Sequence, residues 1–279
     1  TPRSSSAASD VYKRQTNAEL SDRLAEVAGR FSVARYVGPG NPFRAEALEH
    51  NGVAATKVPW APNVSAMNTV HGLVDSNDLS VFADFFAKTN QPMWVDVRPG
   101  DETRSLTTRL VSNGFSPRYD ISVLVGRPVA AAPPADSIQI DAVTASDLDA
   151  FLDVLNIGFK ANRDQLPAFR GLQRFWLDND GWRLFLARID GNPAGAAVLY
   201  IDDQDAHSRI GYLASAATLP QFESRGIHRA LIARRVREAG DMGCSLVTGQ
   251  ALFGSTSQRN QQREGLQIAH VATSWSDIR

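Results

Sequence analysis

Residues 218–236, TLPQFESRGIHRALIARRV, constrain this chain more than any other stretch. They read as a strand end, a short turn at Ser224, Arg225 and Gly226, and then an amphipathic helix. A turn of this kind gathers several backbone N–H groups at the positive end of a helix. Such a place binds phosphate without a metal or an acidic partner.

A second segment, residues 254–266, follows a short apolar strand at 245–248. Ser255 or Ser257 can N-cap a helix there, and Gly265 can end it in the left-handed conformation. Asn260 and Arg263 are three apart and share a helix face. Around these two segments the pattern alternates helix and strand. Residues 138–143 read as a strand and 146–159 as a helix with Leu148, Leu152, Leu155 and Phe159 on one face. Leu166–Leu177 reads as a second helix carrying Phe169, Leu172, Phe175 and Trp176. Strands follow at Trp182–Ile189, 194–201 and 209–218, the first two joined by the turn signal Asp190, Gly191, Asn192.

This arrangement resembles the GNAT N-acetyltransferase superfamily over about residues 138–275. The turn at Ser224–Gly226 looks like the family's acyl-CoA pyrophosphate loop, Arg/Gln-x-x-Gly-x-Gly/Ala shortly after a proline. Pro220 and Gly226 match it, while Glu223 replaces the usual Arg or Gln and His228 the usual Gly or Ala. The 254–266 segment is similar to the family's Ser-x-Arg-Asn-x-x-Arg-x-Gly-Phe helix, whose first turns lie near the cofactor. The order βααβββαβαβ is also the family's. The resemblance implies an α/β fold, an α+β mixed sheet flanked by helices. It implies acyl-CoA, most simply acetyl-CoA, as co-substrate, held by Ala217, Thr218, Leu219, Ser224, Arg225, Gly226, Ile227, His228, Arg229 and Asn260. In this reading residues 217–219 run beside the pantetheine and the thioester carbonyl, Arg225 and Arg229 offset Glu223, and His228 donates to a phosphate.

The first half reads as a worn copy of the second. A shift of 151 lays Trp94–Val97 on 245–248, residues 79–88 on 230–239, and Gly114 on Gly265. The same shift puts Asp75 on Gly226, where a charged side chain would block and repel phosphate. The expectation is therefore two tandem GNAT-like domains in the manner of the mycothiol-synthase type. A degenerate domain at 16–127 would wall the substrate cleft, a Pro/Ala linker would run over 128–137, and the cofactor-binding domain would cover 138–279. Residues 1–15 are small, polar and aperiodic. They look like translated adapter sequence and are expected to be a non-native or disordered leader, without the apolar core of a signal peptide.

Composition excludes several classes. With 29 basic and 30 acidic residues there is no basic excess for nucleic acid. No apolar run approaches the roughly 18 residues of a membrane span. A single cysteine, Cys244, rules out an internal disulfide, suits the cytoplasm, and is expected in a buried strand. None of the five histidines has a second His or Cys at ligand spacing, so no metal is expected. Asp202, Asp203 and Asp205 are expected on a solvated hairpin tip.

Acyl transfer to an amine needs a proton acceptor, a donor for the developing oxyanion and an acid for the departing thiolate. Many family members place a Tyr four residues before the final helix glycine. That position here is Gln261, which cannot act as an acid. Tyr212 and His270 are the candidate catalytic residues, and Tyr200 and Asp202 further ones. The expected acceptor is a small-molecule amine. Trp60, Met67 and Asn68 of the first half, and Lys160, Arg163 and Asp164 between two helices, are candidates to shape its pocket. No nucleic acid or membrane partner is expected, and the protein is expected to be a monomer or homodimer. A catalytically silent CoA- or ligand-binding module is the alternative, motivated by Gln261, Glu223 and His228. Hydrolysis or decarboxylation of an acyl-CoA is a third reading.

Overall fold

The computed structural model describes residues 5–38, 40–89, 91–100, 103–129, 137–161, 166–204 and 209–277, with backbone alone for 5–17, 166–169 and 172. Leu24, Val27, Ala28 and Phe31 recur at helical spacing and are all buried. They lie on α1 (Ser5–Tyr36), a helix that extends back into the expected leader. The rest of the first half comprises β1 (Glu46–His50), β2 (Val53–Lys57), β3 (Thr69–His71), α2 (Leu79–Ala87), β4 (Trp94–Val97), α3 (Thr103–Ser112) and β5 (Ser116–Gly126). The second half comprises β6 (Gln139–Ala142), α4 (Leu148–Gly158), α5 (Leu166–Leu177), β7 (Trp182–Ile189), β8 (Asn192–Asp202) and β9 (Ile210–Thr218). It continues with α6 (Ile227–Asp241), β10 (Leu246–Leu252), α7 (Thr256–Arg263) and β11 (Gln267–Ser276). Asp190 and Gly191 both take positive φ, as a tight hairpin between β7 and β8 requires.

Among the described residues eleven strands form one mixed sheet in the order β1-β2-β3-β4-β11-β5-β10-β9-β8-β7-β6. Only β3/β4 and β9/β10 are parallel. The two halves exchange their last strands. β5 lies between β10 and β11, and β11 lies between β4 and β5. Neither half completes its sheet without the other. Side chains pin this seam: Ser122 donates to Gln258 at 2.9 Å and Thr248 to the Leu124 carbonyl at 2.8 Å, both buried.

The halves also share a core. Phe31 of α1 stacks on Tyr212 of β9 with ring centres 4.5 Å apart, and lies 5.9 Å from Trp182 and 5.7 Å from Tyr200. Trp176 stacks on Trp182 at 4.7 Å. An aromatic of this size contributes about 3 kcal/mol when fully buried, so α1 is anchored on the second half's sheet.

Three expectations change. The offset of 151 carries Ser116 onto Gln267, where β5 and β11 begin, but α2 and α6 begin at 79 and 227, an offset of 148. The slip arises after the helices begin: α2 is shorter than α6 and β4 shorter than β10, and longer connections and a longer α3 recover all but three residues of that difference. The place of Gly226 is therefore taken by Asp78, the N-cap of α2, and not by Asp75, which pairs with Arg109. Asp202 is not solvated: Arg30 of α1 grips it through two hydrogen bonds of 2.8 Å, and it is buried. Phe159, expected on the core face, follows the end of α4 and is 55% exposed, while Phe151 and Val154 fill the core. Cys244 is buried just ahead of β10. Arg163, Asp164, Asp205 and most of the linker lie outside the described residues.

Candidate active site

β9 and β10 run parallel from Ile210/Leu246 to Leu213/Gly249, and there their pairing ends. Just beyond, the β8/β9 register slips, so that Ser215 and Ala216 oppose Ala197 alone. Ser215 has φ 33°, a bulge that re-aims the edge of β9. Arg235 holds this bulge from below. It is 2% exposed, and its Nη1 donates to the carbonyls of Val198 and Ala214 at 3.1 and 2.9 Å. Its Nε donates to the Leu231 carbonyl at 3.0 Å. Burial pushes its pKa down to about 9, so it stays charged at neutral pH, and no carboxylate among the described residues pairs with it.

The wedge opens toward the first turn of α6. A short 3-10 turn at Pro220–Phe222 leads to Ser224 with φ 62° and to Gly226 with φ 82°, the N-cap. No side chain caps the helix, which leaves its first amides available. A Cβ built on Gly226 would meet nothing within 4 Å, so the space above the turn is open. Ser224, Arg225 and Arg229 are exposed and Ile227 is buried in the core. Arg229 is not free to offset Glu223, because it bonds Glu264 at 2.8 Å. Arg225 lies over the Phe222 ring.

His228 joins this turn to α7. Arg263 donates to Asn260 Oδ1 at 3.1 Å, which fixes the amide so that Asn260 Nδ2 donates to His228 Nδ1 at 3.1 Å. The Nε2–H of His228 is then its remaining donor. Burial, with the Arg235 charge adding to it, pushes His228 down to about 4, so it is neutral at physiological pH. Ser255 caps α7 by accepting from the Gln258 amide, and Gly265 follows it with φ 91°. Gln261 packs onto Gly249 so closely that a Cβ there would lie 2.4 Å from its Oε1.

These pieces border one cleft of about 730 Å³. Its walls are Arg35 and Tyr36 of α1, Met67 of the first half, Gln173 and Trp176 of α5, residues 213–216 of the bulge, and His228, Arg235, Gln250 and Gln261. A volume of this size suits a small-molecule site. Lys160 and Phe159 border it as well.

The expected cofactor residues divide. His228 lines the cleft, and Asn260 orients it. Ala217, Thr218 and Leu219 do not line it; Ala217 and Leu219 are buried and Thr218 is half-buried, because the bulge brings the open edge of β9 forward to 213–216. Neither expected catalytic residue faces the cleft. Tyr212 is buried against Phe31 and borders an adjoining chamber of about 150 Å³ with His71 and Asp96. Burial holds its phenol well above the ordinary range. His270 borders a separate cavity of about 20 Å³, 3.0 Å from Ser21 Oγ, and burial pushes it down to about 4. Tyr200 is packed on Trp182 and raised to about 12 by burial. Trp60 donates to the Phe43 carbonyl at 2.8 Å, and Asn68 is fully buried in backbone bonds, so neither reads a substrate here. Arg35, Tyr36 and Arg235 were missed from sequence. The spacing of Leu24, Val27 and Phe31 could have revealed α1; no local signal marks Arg235.

Residues 148–254 match the model of the acetyltransferase (GNAT) family. The chain carries a GNAT acetyltransferase domain. Solved structures share the fold across both halves. A GCN5-related N-acetyltransferase from Kribbella flavida is 16% identical, with a TM-score of 0.61 over 91% of this chain and 96% of that one. A GCN5-related N-acetyltransferase from Sphaerobacter thermophilus is 14% identical, with a TM-score of 0.58 over 83% and 75%. A conserved protein of unknown function from Staphylococcus epidermidis gives 14%, 0.59, 84% and 94%. No curated protein matches. The matched residues include the bulge at Ser215 and the turn at Gly226, and the fold of both halves recurs in these structures. Among the described residues no helix is long and apolar enough to cross a membrane, and no group of three or more His, Cys, Asp or Glu could hold a metal.

Proposed function

We propose that this GNAT-type N-acetyltransferase moves an acyl group, most simply acetyl, from acyl-CoA to an amine of a small molecule within a ternary complex. The observation that carries this is the parting of β9 and β10 at the Ser215 bulge, directly above an uncapped helix N-terminus and opening onto the cleft. Acyl-CoA supplies the acyl group as a thioester. The amides of the α6 first turn, Ser224 and Arg225 suit its pyrophosphate. The freed backbone of residues 213–216 suits its pantetheine and carbonyl.

The amine nitrogen forms the new C–N bond as the C–S bond breaks, so one proton must leave the nitrogen and the sulfur must leave as thiolate. The Nε2–H of His228 and the charge of Arg235 favour negative charge developing in the cleft. Gln261 donates from its amide but carries no transferable proton. The amine proton passes by water toward the chamber bordered by Tyr212, His71 and Asp96, which Arg35 and Gln250 connect to the cleft. His270 lies one cavity further. The phosphate turn of the second half is then the single cofactor site, because Asp78 caps its counterpart in the first half.

Calorimetric titration with acetyl-CoA, followed by thiol release over a panel of amines, tests the proposal. Micromolar binding with turnover of an amine is expected. Binding without turnover would favour the silent module that Gln261 suggests, and absence of binding would overturn the cofactor site.

A further inference from the structure

We infer that the acceptor carries a carboxylate on the same molecule as its amine, and that Arg35 binds that carboxylate. This rests on the acyltransferase reading above and names its substrate class. Arg35 stands near the end of α1 and borders both the cleft and the adjoining chamber. Its guanidinium lies 5.6 Å from the Phe31 ring centre and 5.0 Å from that of Tyr36. Its Nε is buried with no hydrogen-bond partner, and no acidic residue among those described pairs with it.

Several other arginines that are at least half-buried are paired with carboxylates. Arg30, barely more than a turn earlier, is held by Asp202, Arg98 by Asp22, Arg109 by Asp75 and Arg188 by Asp147. Arginine cannot shed its proton to escape burial. A planar fork left open at a pocket wall therefore matches a carboxylate brought by the ligand.

The remaining wall agrees. No Asp or Glu among the described residues borders the cleft, whereas Arg35, Lys160 and Arg235 do. Trp176 Nε1 and Tyr36 Oη are buried donors without acceptors in the same wall. A polycation such as an aminoglycoside would meet like charge with nothing to offset it. An amino acid or peptide-like amine would be held by its carboxylate, and the surrounding positive charge would favour the neutral nitrogen that attacks.

The test uses the full chain with saturating acetyl-CoA. Free α- and ω-amino acids and dipeptides are compared with their carboxamides and with a deoxystreptamine aminoglycoside, by thiol release and by saturation-transfer NMR. At least one free acid should exceed its amide by about tenfold or more in kcat/KM. Arg35→Gln should raise KM for that acid, erase the preference, and leave acetyl-CoA affinity unchanged, while Arg35→Lys restores part of it. Amides or the aminoglycoside performing as well, no effect of Arg35→Gln, or no free acid bound at all would overturn the inference. The NMR comparison is repeated without acetyl-CoA. Failure of acetyl-CoA to bind indicts the acyltransferase reading, whereas loss of carboxylate preference alone indicts only this one.

Discussion

α2 and α6 begin at equivalent places in the two halves, each after a strand that runs parallel to its neighbour. α6 begins at Gly226 with no side-chain cap and open space above it. α2 begins at Asp78, whose carboxylate accepts from the Ser80 amide at 2.9 Å. The hydrogen bond to Ser80 holds that carboxylate below the ordinary range. The same positive helix end thus carries a built-in anion in one half and is open to an external one in the other. The contrast continues inward. At the offset of 148, Ser80 stands for His228 and Ala87 for Arg235, and β3 has three residues where β9 has nine and a bulge. On the proposed reading, the cofactor site draws on both an uncapped helix terminus and a neighbouring strand broken open, and the first half has neither.

The largest expected effect comes from making α6 resemble α2. Gly226→Asp places a carboxylate on the turn and should weaken acetyl-CoA binding by about 100-fold or more, read by calorimetry. Part of any loss in Tm reflects the positive φ, so Gly226→Asn, which tolerates that conformation, serves as the control. Binding that survives Gly226→Asp would break the comparison. Next, Arg235→Leu removes the pin beneath the bulge. Misplacing the β9 edge by an ångström costs about 100-fold in kcat/KM, with circular dichroism expected to show a retained fold.

A smaller effect concerns pH. His228 and His270 are neutral when folded, with values near 4, and take up a proton near 6.5 when unfolded. The unfolded chain binds more protons between those values. Stability should therefore be full above about pH 6.5 and fall as pH drops toward 4, by on the order of 2–3 kcal/mol per group. Thermal melts at pH 7 and pH 5 check this, and His228→Ser, the residue α2 carries, should flatten the dependence. The smallest effect is the reverse substitution. Asp78→Gly removes the side-chain cap at little cost in stability, because glycine is itself tolerated at a helix N-cap, and should create no acetyl-CoA site, since β3 has no bulge to receive the rest of the molecule. A second binding event by calorimetry would show that uncapping alone suffices.

How legible a residue was in the sequence followed how local its cause is. Gly226, Ser255 and Gly265 are read from backbone preference within a few residues, and each has the expected cap or positive φ. The burial of Asp202 is not legible locally, because the hairpin's own signal is polar while the arginine that buries it lies 172 residues away. The sequence points to 217–219 where the structure sets 213–216 along the cleft, because a bulge at Ser215 has no signature in the residues themselves. An ungapped shift lays Asp75 on Gly226 because it cannot register that α2 and β4 are shorter than α6 and β10.

By itself the sequence determined the mixed α/β class, the hairpin at Asp190 and Gly191, the turn at Ser224–Gly226 and the capped last helix. Each is set by steric limits and hydrogen bonds within one turn of chain. Only the tertiary structure decided that β5 and β11 change places, that Arg235 props the bulge, and that Arg35 stands in the cleft of the other half. Strand partners are chosen by which edge offers unpaired backbone groups and a matching apolar face, and those edges exist only once both halves have come together.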